Sequence, residues 1–465
     1  MQYLGIDVDV RNLPELDKSF LPVGKFNEAF LKDARVPVSI AVERTGNEVA
    51  AEHTFLQGRD ELTEADKVYL NNLVKSVLWM KGGYRVFVAG PEKAYEYLKE
   101  SFSPTGGYAF DYEFFSRIYD RPLEFRFVDR VPEEHNEPKK IGGHTEGCRI
   151  GFDAGGSDRK ISAVIDGESV YSEEVVWFPK INTDPEYHYA GIVEGLKSAA
   201  SHLPRVDAVG VSSAGIFIND LTMSASLFNK IPRELYKEKV RDIYIRAIRD
   251  TFGDIPYSVI NDGDVTALAG AISLEDTNVL GIAMGTSEAG GYVNEDGCVT
   301  GWLNELAFMP VDADPDGFVD EWSGARGIGS QYFSQDAVIN LAPRAGIELD
   351  PCLSPAEKLK TVQGLMEKND PRAVAVYRSI GVFLAHSLAL YHKAYSFRHV
   401  LLLGRVMSGK GGEILLEKCR EVLADEYPEC SFHIALPDEK FRRVGQSAVA
   451  ASLPELKNSP GTEKA

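Results

Sequence analysis

The chain has 465 residues, room for two to four packing units, which excludes a single small binding module. Apolar residues make up 44% and charged residues 26%, an ordinary globular balance. Against 50 lysines and arginines stand 70 acidic residues, and the net charge of −20 repels a phosphate backbone, so nucleic acid is excluded as the main partner. The first residues lack a basic stretch leading into an apolar run, and nowhere do 18 uncharged apolar residues follow one another. A soluble, cytoplasmic protein with no membrane partner is expected. The five cysteines (Cys148, Cys298, Cys352, Cys419 and Cys430) are scattered, with no CxxC and no Cys/His cluster, which fits free thiols in a reducing compartment and no structural zinc.

In chain order, residues 36–55 alternate apolar and polar positions on both sides of Thr45-Gly46-Asn47, the pattern of a β-hairpin. Leu70, Leu73, Val74, Val77 and Leu78 recur at helical spacing behind a Thr63/Asp66 cap, predicting a helix over 63–80. The run YRVFVAG then reads as a buried strand passing through Gly90-Pro91 into a helix, and PLEFRFVDRV as a further strand. Residues 1–131 are expected to form a small α+β domain, and the polar stretch 132–147, with three glycines and two prolines, a linker. Phe110, Tyr112, Phe114, Phe115 and Tyr119 are too many large apolar groups for one short segment to leave exposed. They are expected to face the rest of the chain or a second subunit, so homodimer formation stays open.

Beyond the linker, strands and helices alternate, giving an α/β class. CRIGFDAGGSDRKISAVIDGESVYSEEVVWF gives three strands around two turns, GIVEGLKSAASHL a helix and VDAVGVSS a strand. A strand (IPYSVIN), a small-residue helix (VTALAGA) and a glycine hairpin (VLGIAMGTSEAGGYV) follow. A long apolar helix then opens at Asp370-Pro371 and feeds the strand HVLLLG. The recurrence of a glycine-turned hairpin, helices and a strand every 120 residues or so suggests two pseudo-equivalent halves, 148–270 and 271–465. His386, midway along the long helix, reads as a satisfied core histidine.

Four segments could carry chemistry. In Asp153-Ala154-Gly155-Gly156-Ser157-Asp158-Arg159-Lys160 an acid ends a buried strand and two glycines let backbone N–H groups converge on an anion. Ser157 adds a hydroxyl donor there, Lys160 a positive charge, and Asp153 a ligand for Mg2+ through water. A plain hairpin turn is the bland alternative. A second turn, Gly285-Thr286-Ser287, offers the same anion-cradling chemistry or a tight turn alone. Val259-Ile260-Asn261-Asp262 projects Asp262 from a strand's carboxyl end, where it could accept a hydroxyl proton during phosphoryl transfer or simply cap the helix. The last is the turn at Gly404, after LLL, against which an adenine could lie.

In this order the four elements resemble the superfamily of sugar kinase, hexokinase, actin and heat-shock chaperone ATPases. Within it the similarity is to the ROK family of sugar kinases and repressors, through INDGDVTALAGA, GIAMGTSEAGGYV and the late RRVGQSAVAA. The resemblance runs from about Arg149 to Leu456. It implies two actin-like (ribonuclease H-like) α/β halves around a nucleotide cleft, with ATP and Mg2+ as cofactors and a sugar or polyol as substrate. It further implies Asp262 as catalytic base, Asn261 on the sugar, and Asp153 at the magnesium and phosphates. Gly155, Gly156, Ser157, Gly285, Thr286, Ser287 and Gly404 would surround the nucleotide.

Glu305 falls where the family has a sugar-binding glutamate followed by glycine and histidine, but Ala307 and Phe308 replace those two. The family's zinc cluster is also missing. DPDGFVDEWSGARGIGSQ stands in its place, with Asp320 or Glu321 as a second sugar-binding acid. The expected function is ATP-dependent phosphorylation of a sugar or polyol hydroxyl. The competing expectation is a non-catalytic sugar sensor of the same fold.

Overall fold

A computed structural model describes residues 1–437 and 445–456. Of the late motif RRVGQSAVAA, Arg442, Arg443 and Val444 lie outside the described residues. The backbone divides into two units, one formed by Met1–Glu137, Ile282–Gly290 and Trp302–Leu436, the other by Pro138–Gly281, Gly291–Gly301 and Pro437–Ala465.

The first unit begins with two short strands, β1 (Gln2–Tyr3) and β2 (Ile6–Asp7), and helix α1 (Val23–Leu31), to which the sequence pattern gave no warning. The expected hairpin is β3 (Val36–Glu43) and β4 (Val49–Leu56), paired antiparallel in register from Val36–Leu56 to Glu43–Val49. Gly46, at φ +77°, closes it. Helix α2 (Glu64–Lys81) starts at a full capping box: the Thr63 hydroxyl accepts the Asp66 N–H while Asp66 accepts the Thr63 N–H. The strands β5 (Arg85–Ala89) and β6 (Glu124–Phe127) complete a sheet of order β4-β3-β5-β6, joined through α3 (Glu92–Ser101) and α4 (Ala109–Ile118).

The second unit is built on five strands: β7 (Cys148–Ala154), β8 (Asp158–Ile165), β9 (Glu168–Val176), β10 (Ala208–Ser213) and, after a small hairpin β11 (Ile216–Ile218) and β12 (Leu221–Ser224), β13 (Tyr257–Asn261). Their order is β13-β10-β7-β8-β9, with β10 and β13 parallel to β7, β8 antiparallel to β7 and β9 antiparallel to β8. Every residue of β7 and β10 is buried, as expected for central strands covered on both faces. One layer comes from α5 (Pro185–Ala200) and α7 (Ile243–Phe252), which close a core around Phe152, Ile192, Leu196, Phe228, Tyr244 and Ile248, while the single-turn α6 (Arg233–Leu235) is exposed. Helix α8 (Asp262–Leu274) follows β13 directly.

The strand β14 (Val279–Met284), the strand β15 (Glu288–Val293), α9 (Ser330–Phe333), α10 (Gln335–Arg344), α11 (Pro355–Glu367), α12 (Pro371–Tyr395), the strand β16 (His399–Leu403), α13 (Gly409–Glu426) and β17 (His433–Ala435) complete the later part. Their strands run in the order β15-β14-β16-β17, which repeats β8-β7-β10-β13 one for one. In each set a strand, a short glycine turn and a neighbouring strand are followed by a helix, a third strand, a helix and a fourth. The structure thus contains the two α/β halves expected from the recurrence in the sequence.

A last helix, α14 (Gln446–Ala451), lies on the second unit's sheet. Any side chain at Gly151 or Gly210 would stand 1.6 Å from the carbonyls of Ser447 or Ala450, so bare backbone is what lets it seat. The residues expected as a small α+β accessory domain, 1–131, share their unit with 302–436. The unit boundary, Glu137/Pro138, falls inside the stretch expected as a linker.

Candidate active site

The second unit gathers its polar groups where three parallel strands end. In register, Ser212 of β10 stands opposite Asp153 of β7, and Ser213 opposite Asn261 of β13. The Ser212 hydroxyl donates to Asp153 Oδ1 at 2.7 Å, and both residues are buried. Ser213 pairs with the Tyr244 hydroxyl at 2.9 Å. Asn261 caps α8, its Oδ1 accepting the Gly263 N–H at 2.6 Å while its Nδ2 donates to the Gly215 carbonyl at 2.6 Å. Its amide is therefore committed to placing the strand-to-helix corner.

That corner holds Asp262 at the first position of α8, half-buried. Burial raises its carboxyl above the usual range, against the pull of the Gly263 N–H and its own. Asp153 is pushed up to about 6, first by burial and then by the charge of Asp262, while Ser212 and Lys160 oppose the rise. Two acids, the charge of Asp262 acting on Asp153, thus share the carboxyl ends of a parallel sheet, the usual place for a ligand in such folds. Ser212 went unnoticed in the sequence; its signal was a Ser-Ser pair ending an otherwise apolar strand.

The first glycine turn joins β7 to β8. Trp177 donates from Nε1 to the Gly155 carbonyl at 2.8 Å and from its backbone to the Ser157 carbonyl at 3.1 Å, which leaves the N–H edge as the turn's open side. The Ser157 hydroxyl donates to Asp158 at 2.8 Å. Lys160, paired across from Asp153 in the ladder, sits 3.8 Å from Asp158. A second cation was not foreseen: a Cβ at Gly156 would lie 2.5 Å from Cε and 2.8 Å from Nζ of Lys180. The sequence offered no sign of it, because Lys180 arrives from a one-turn helix 24 residues away.

In the first unit, the second and third turns come together. Gly404 has φ +105°, and a side chain there would strike the Met284 carbonyl at 2.3 Å, so β16 ends against the end of β14 where Gly285, Thr286 and Ser287 begin. Gly285 N–H donates to the Ser287 carbonyl at 3.0 Å and its carbonyl accepts the Gln335 N–H at 2.9 Å, leaving Thr286 and Ser287 exposed. Beyond Gly404 lies a cleft of about 200 Å³ lined by Gln363, Met366, Glu367, Ser408, Gly409 and Gly411. Gln363 braces it by donating to the Arg405 carbonyl at 2.9 Å.

Glu305 is half-buried and hung from the end of α2, its N–H donating to the Trp79 carbonyl at 3.0 Å. Phe308 stacks on Trp79 with ring centroids 4.2 Å apart, and Phe110, Phe114 and Trp322 pack around it. The aromatic segment of α4 thereby meets the acidic, glycine-rich segment around Trp322. Asp320 organises that segment: one oxygen accepts the Ser323 N–H and hydroxyl at 2.8 and 2.6 Å, the other the Gln331 amide at 3.2 Å. Its carboxylate is spent on the loop, whereas Glu321 is exposed. Among the described residues no group of three or more His, Cys, Asp or Glu is placed to hold a metal. His386 is a core histidine, bonded to the Tyr427 hydroxyl at 2.6 Å and to the Asn12 carbonyl at 3.0 Å, with its pKa lowered to about 4 by burial.

No family model and no curated protein matches this sequence. Solved structures do. A ROK hexokinase from Thermus thermophilus superposes with a TM-score of 0.50 at 20% identity, covering 65% of this chain and 96% of that one. A ROK family transcriptional regulator, described as a homolog of the E. coli MLC protein, superposes with a TM-score of 0.52 at 17% identity over 66% and 78%. The chain has the ROK-type actin-like α/β fold. In that fold the repeated strand orders are the two halves, and about a third of this chain lies outside the shared part.

Proposed function

We propose that this ROK-fold protein is an ATP-dependent phosphotransferase acting on a hydroxyl of a sugar or polyol, with Asp262 as general base. The observation that carries the reading is the pairing of Asp262, raised by burial at a helix start, with a buried Asp153 at the ends of parallel strands. The substrate hydroxyl oxygen would form a bond to the γ-phosphorus as the β–γ bridging bond breaks. ADP would leave, and the hydroxyl proton would pass to Asp262.

The residues proposed for the nucleotide are Gly155, Gly156, Ser157, Lys160 and Lys180, together with Gly285, Thr286, Ser287 and Gly404. The cleft beyond Gly404 would take its base. Asp153 suits Mg2+: it is a hard oxygen donor whose bonded partner is a neutral serine, and Mg2+ keeps several waters and needs few carboxylates. When bound, the ion would offset phosphate charge. Glu305 and Glu321 would meet the sugar. Asp320 stays in the proposal only as the support of its loop, and Asn261 as the group that positions Asp262. The protein would work in the cytoplasm, without nucleic acid or membrane.

The test is turnover of Asp262→Asn. It should fall by about two to four orders of magnitude with ATP affinity little changed, and near-normal turnover would remove the mechanism. One observation favours a second reading, a sugar sensor without turnover: Phe308, locked under Trp79, fills the position of the family's histidine. A protein that binds sugar but never releases ADP would decide for it.

A further inference from the structure

Trp322 stands 62% exposed at the tip of a closed loop, whereas Trp79 and Trp177 are buried. A lone apolar residue on a surface is ordinary. This one is the outer member of an aromatic cluster and is held still. Val319 and Arg326 bridge antiparallel at the base of the loop, the Asp320 N–H donates to the Ala325 carbonyl at 2.8 Å, and the Gly324 N–H donates to the Asp320 carbonyl at 2.8 Å. Glu321, Trp322 and Ser323 form the tip. From one side the indole is met by Phe110 at 5.0 Å and 81°, by Phe308 at 5.6 Å and 63°, and by Phe114 at 6.4 Å and 84°, edge-to-face contacts that fix its orientation. The loop is also fastened to the stretch that holds the second glycine turn. The Gln331 amide donates to Asp320 at 3.2 Å, and a little further along the chain the Gln335 N–H donates to the Gly285 carbonyl at 2.9 Å.

The size of this surface bears on what covers it. An indole offers at most about 250 Å², against the roughly 800 Å² that each partner brings to a stable protein interface. It suits one small ring. Beside it Glu321 is exposed, a carboxylate that accepts hydrogen bonds and gives none. The C–H groups on one face of a cyclic sugar carry a slight positive charge and match the negative face of an aromatic ring, while the hydroxyls on its rim donate to a carboxylate. An open-chain polyol has the same hydroxyls but no fixed face, and would lose more freedom on stacking. We propose that Trp322 is the platform on which the ring of the sugar stacks, with Glu321 accepting from a rim hydroxyl, so that cyclic acceptors are taken and open-chain polyols refused. This rests on the sugar phosphotransferase reading and narrows its acceptor. Trp322 sets which acceptor binds and takes no part in moving the phosphoryl group.

The experiment is calorimetric titration of the full chain with D-glucose, D-mannose and D-galactose, each against its alditol, with ADP release followed in parallel samples containing ATP and Mg2+. The best-bound hexose should bind about tenfold or more tighter than its alditol, the scale of one stacking contact together with the ordering of an open chain. In Trp322→Ala, checked for an unaltered unfolding transition, that hexose should lose about tenfold in affinity, with KM raised and kcat unchanged, and its preference over the alditol should vanish. Trp322→Phe keeps an aromatic face and should keep most of the preference, which a merely structural role for the indole would not explain. Bound hexose should also shield the tryptophan fluorescence from acrylamide in the native chain and not in Trp322→Phe. Equal affinity for hexose and alditol, or a preference that survives in Trp322→Ala, would overturn the inference. ADP release from a hexose that Trp322→Ala leaves unaltered would overturn the platform and leave the phosphotransferase standing. Binding that depends on Trp322 without ADP release would support the platform and remove the enzyme. A dimer lost in Trp322→Ala with sugar affinity unchanged would give the indole to a second copy of the chain and overturn the inference.

Discussion

At the scale of single residues, the site carries strain in its charges. Asp153 is raised from 3.8 to about 6, so its folded form resists ionisation. Below its ordinary value both folded and unfolded chains are protonated and nothing is lost. As pH rises through the window from 3.8 to about 6 the unfolded chain ionises first and stability falls. Above that window the penalty is complete, on the order of 3 kcal/mol. Asp153→Asn keeps an acceptor for Ser212, and should therefore be more stable than the native chain near pH 7, show little gain near pH 4, and lose activity. Thermal unfolding at the two pH values checks the sign. Gly156→Val presents a different case: its added atoms meet the flexible end of Lys180, not backbone, so the fold should survive. Lys180→Ala and Gly156→Val should each weaken ATP binding by about tenfold, and together by little more, because both remove the same ammonium. Calorimetry of the two single variants and the double variant measures this.

Among the elements, local signals were legible in the sequence wherever a few neighbouring residues decide the outcome. The Thr63/Asp66 cap, the hairpin around Gly46 and the strand ending in Asp153-Ala154-Gly155-Gly156 all stand where the pattern puts them. That the aromatic residues of α4 turn to the rest of the chain was legible; which residues receive them was not, because those partners lie far along the chain. Asp111, on α4, accepts from Lys75 Nζ at 2.7 Å and from Trp79 Nε1 at 2.6 Å, and all three side chains are buried. This ion pair fixes the helix whose Phe110 and Phe114 then reach Phe308 and Trp322. Asp111→Ala would leave a buried ammonium and an indole N–H without acceptors. It should destabilise the first unit by about 3–5 kcal/mol, read as a shift of the denaturant midpoint. Asp111→Asn, which keeps an acceptor, should cost less. Lys180 escaped notice because the pattern around it is ordinary, and only the folded neighbourhood makes it distinctive.

Across the whole molecule, the residues before the expected linker are bound into one unit with residues far later in the chain. Residues 1–137 and 302–436 share one unit, stitched by Arg11 and Asn12 backbone N–H groups on Glu426, by Asn12 on His386, by Phe20 on Tyr332 and Phe383, and by Leu21 on Asp312. Contacts between residues roughly three to four hundred positions apart leave no periodic trace, so the partners of the amino-terminal third could not be named from the sequence. A fragment covering 132–465 should accordingly be insoluble or unfold without cooperativity. A soluble fragment with a sharp transition by circular dichroism would show that the later residues hold their own core. The actin-like halves were legible because their repeat is carried by short motifs in fixed order, whereas the substrate remained open because Ala307 and Phe308 stand where the resemblance implied glycine and histidine. The account as a whole is tested most directly by phosphorus NMR of the full chain with ATP, Mg2+ and a panel of hexoses, amino hexoses and polyols. It predicts loss of the γ-phosphate resonance and growth of a sugar phosphate ester with at least one acceptor, abolished in Asp262→Asn. Bound sugar with an unchanged ATP spectrum across the panel, or ester formation that survives in Asp262→Asn, would contradict it.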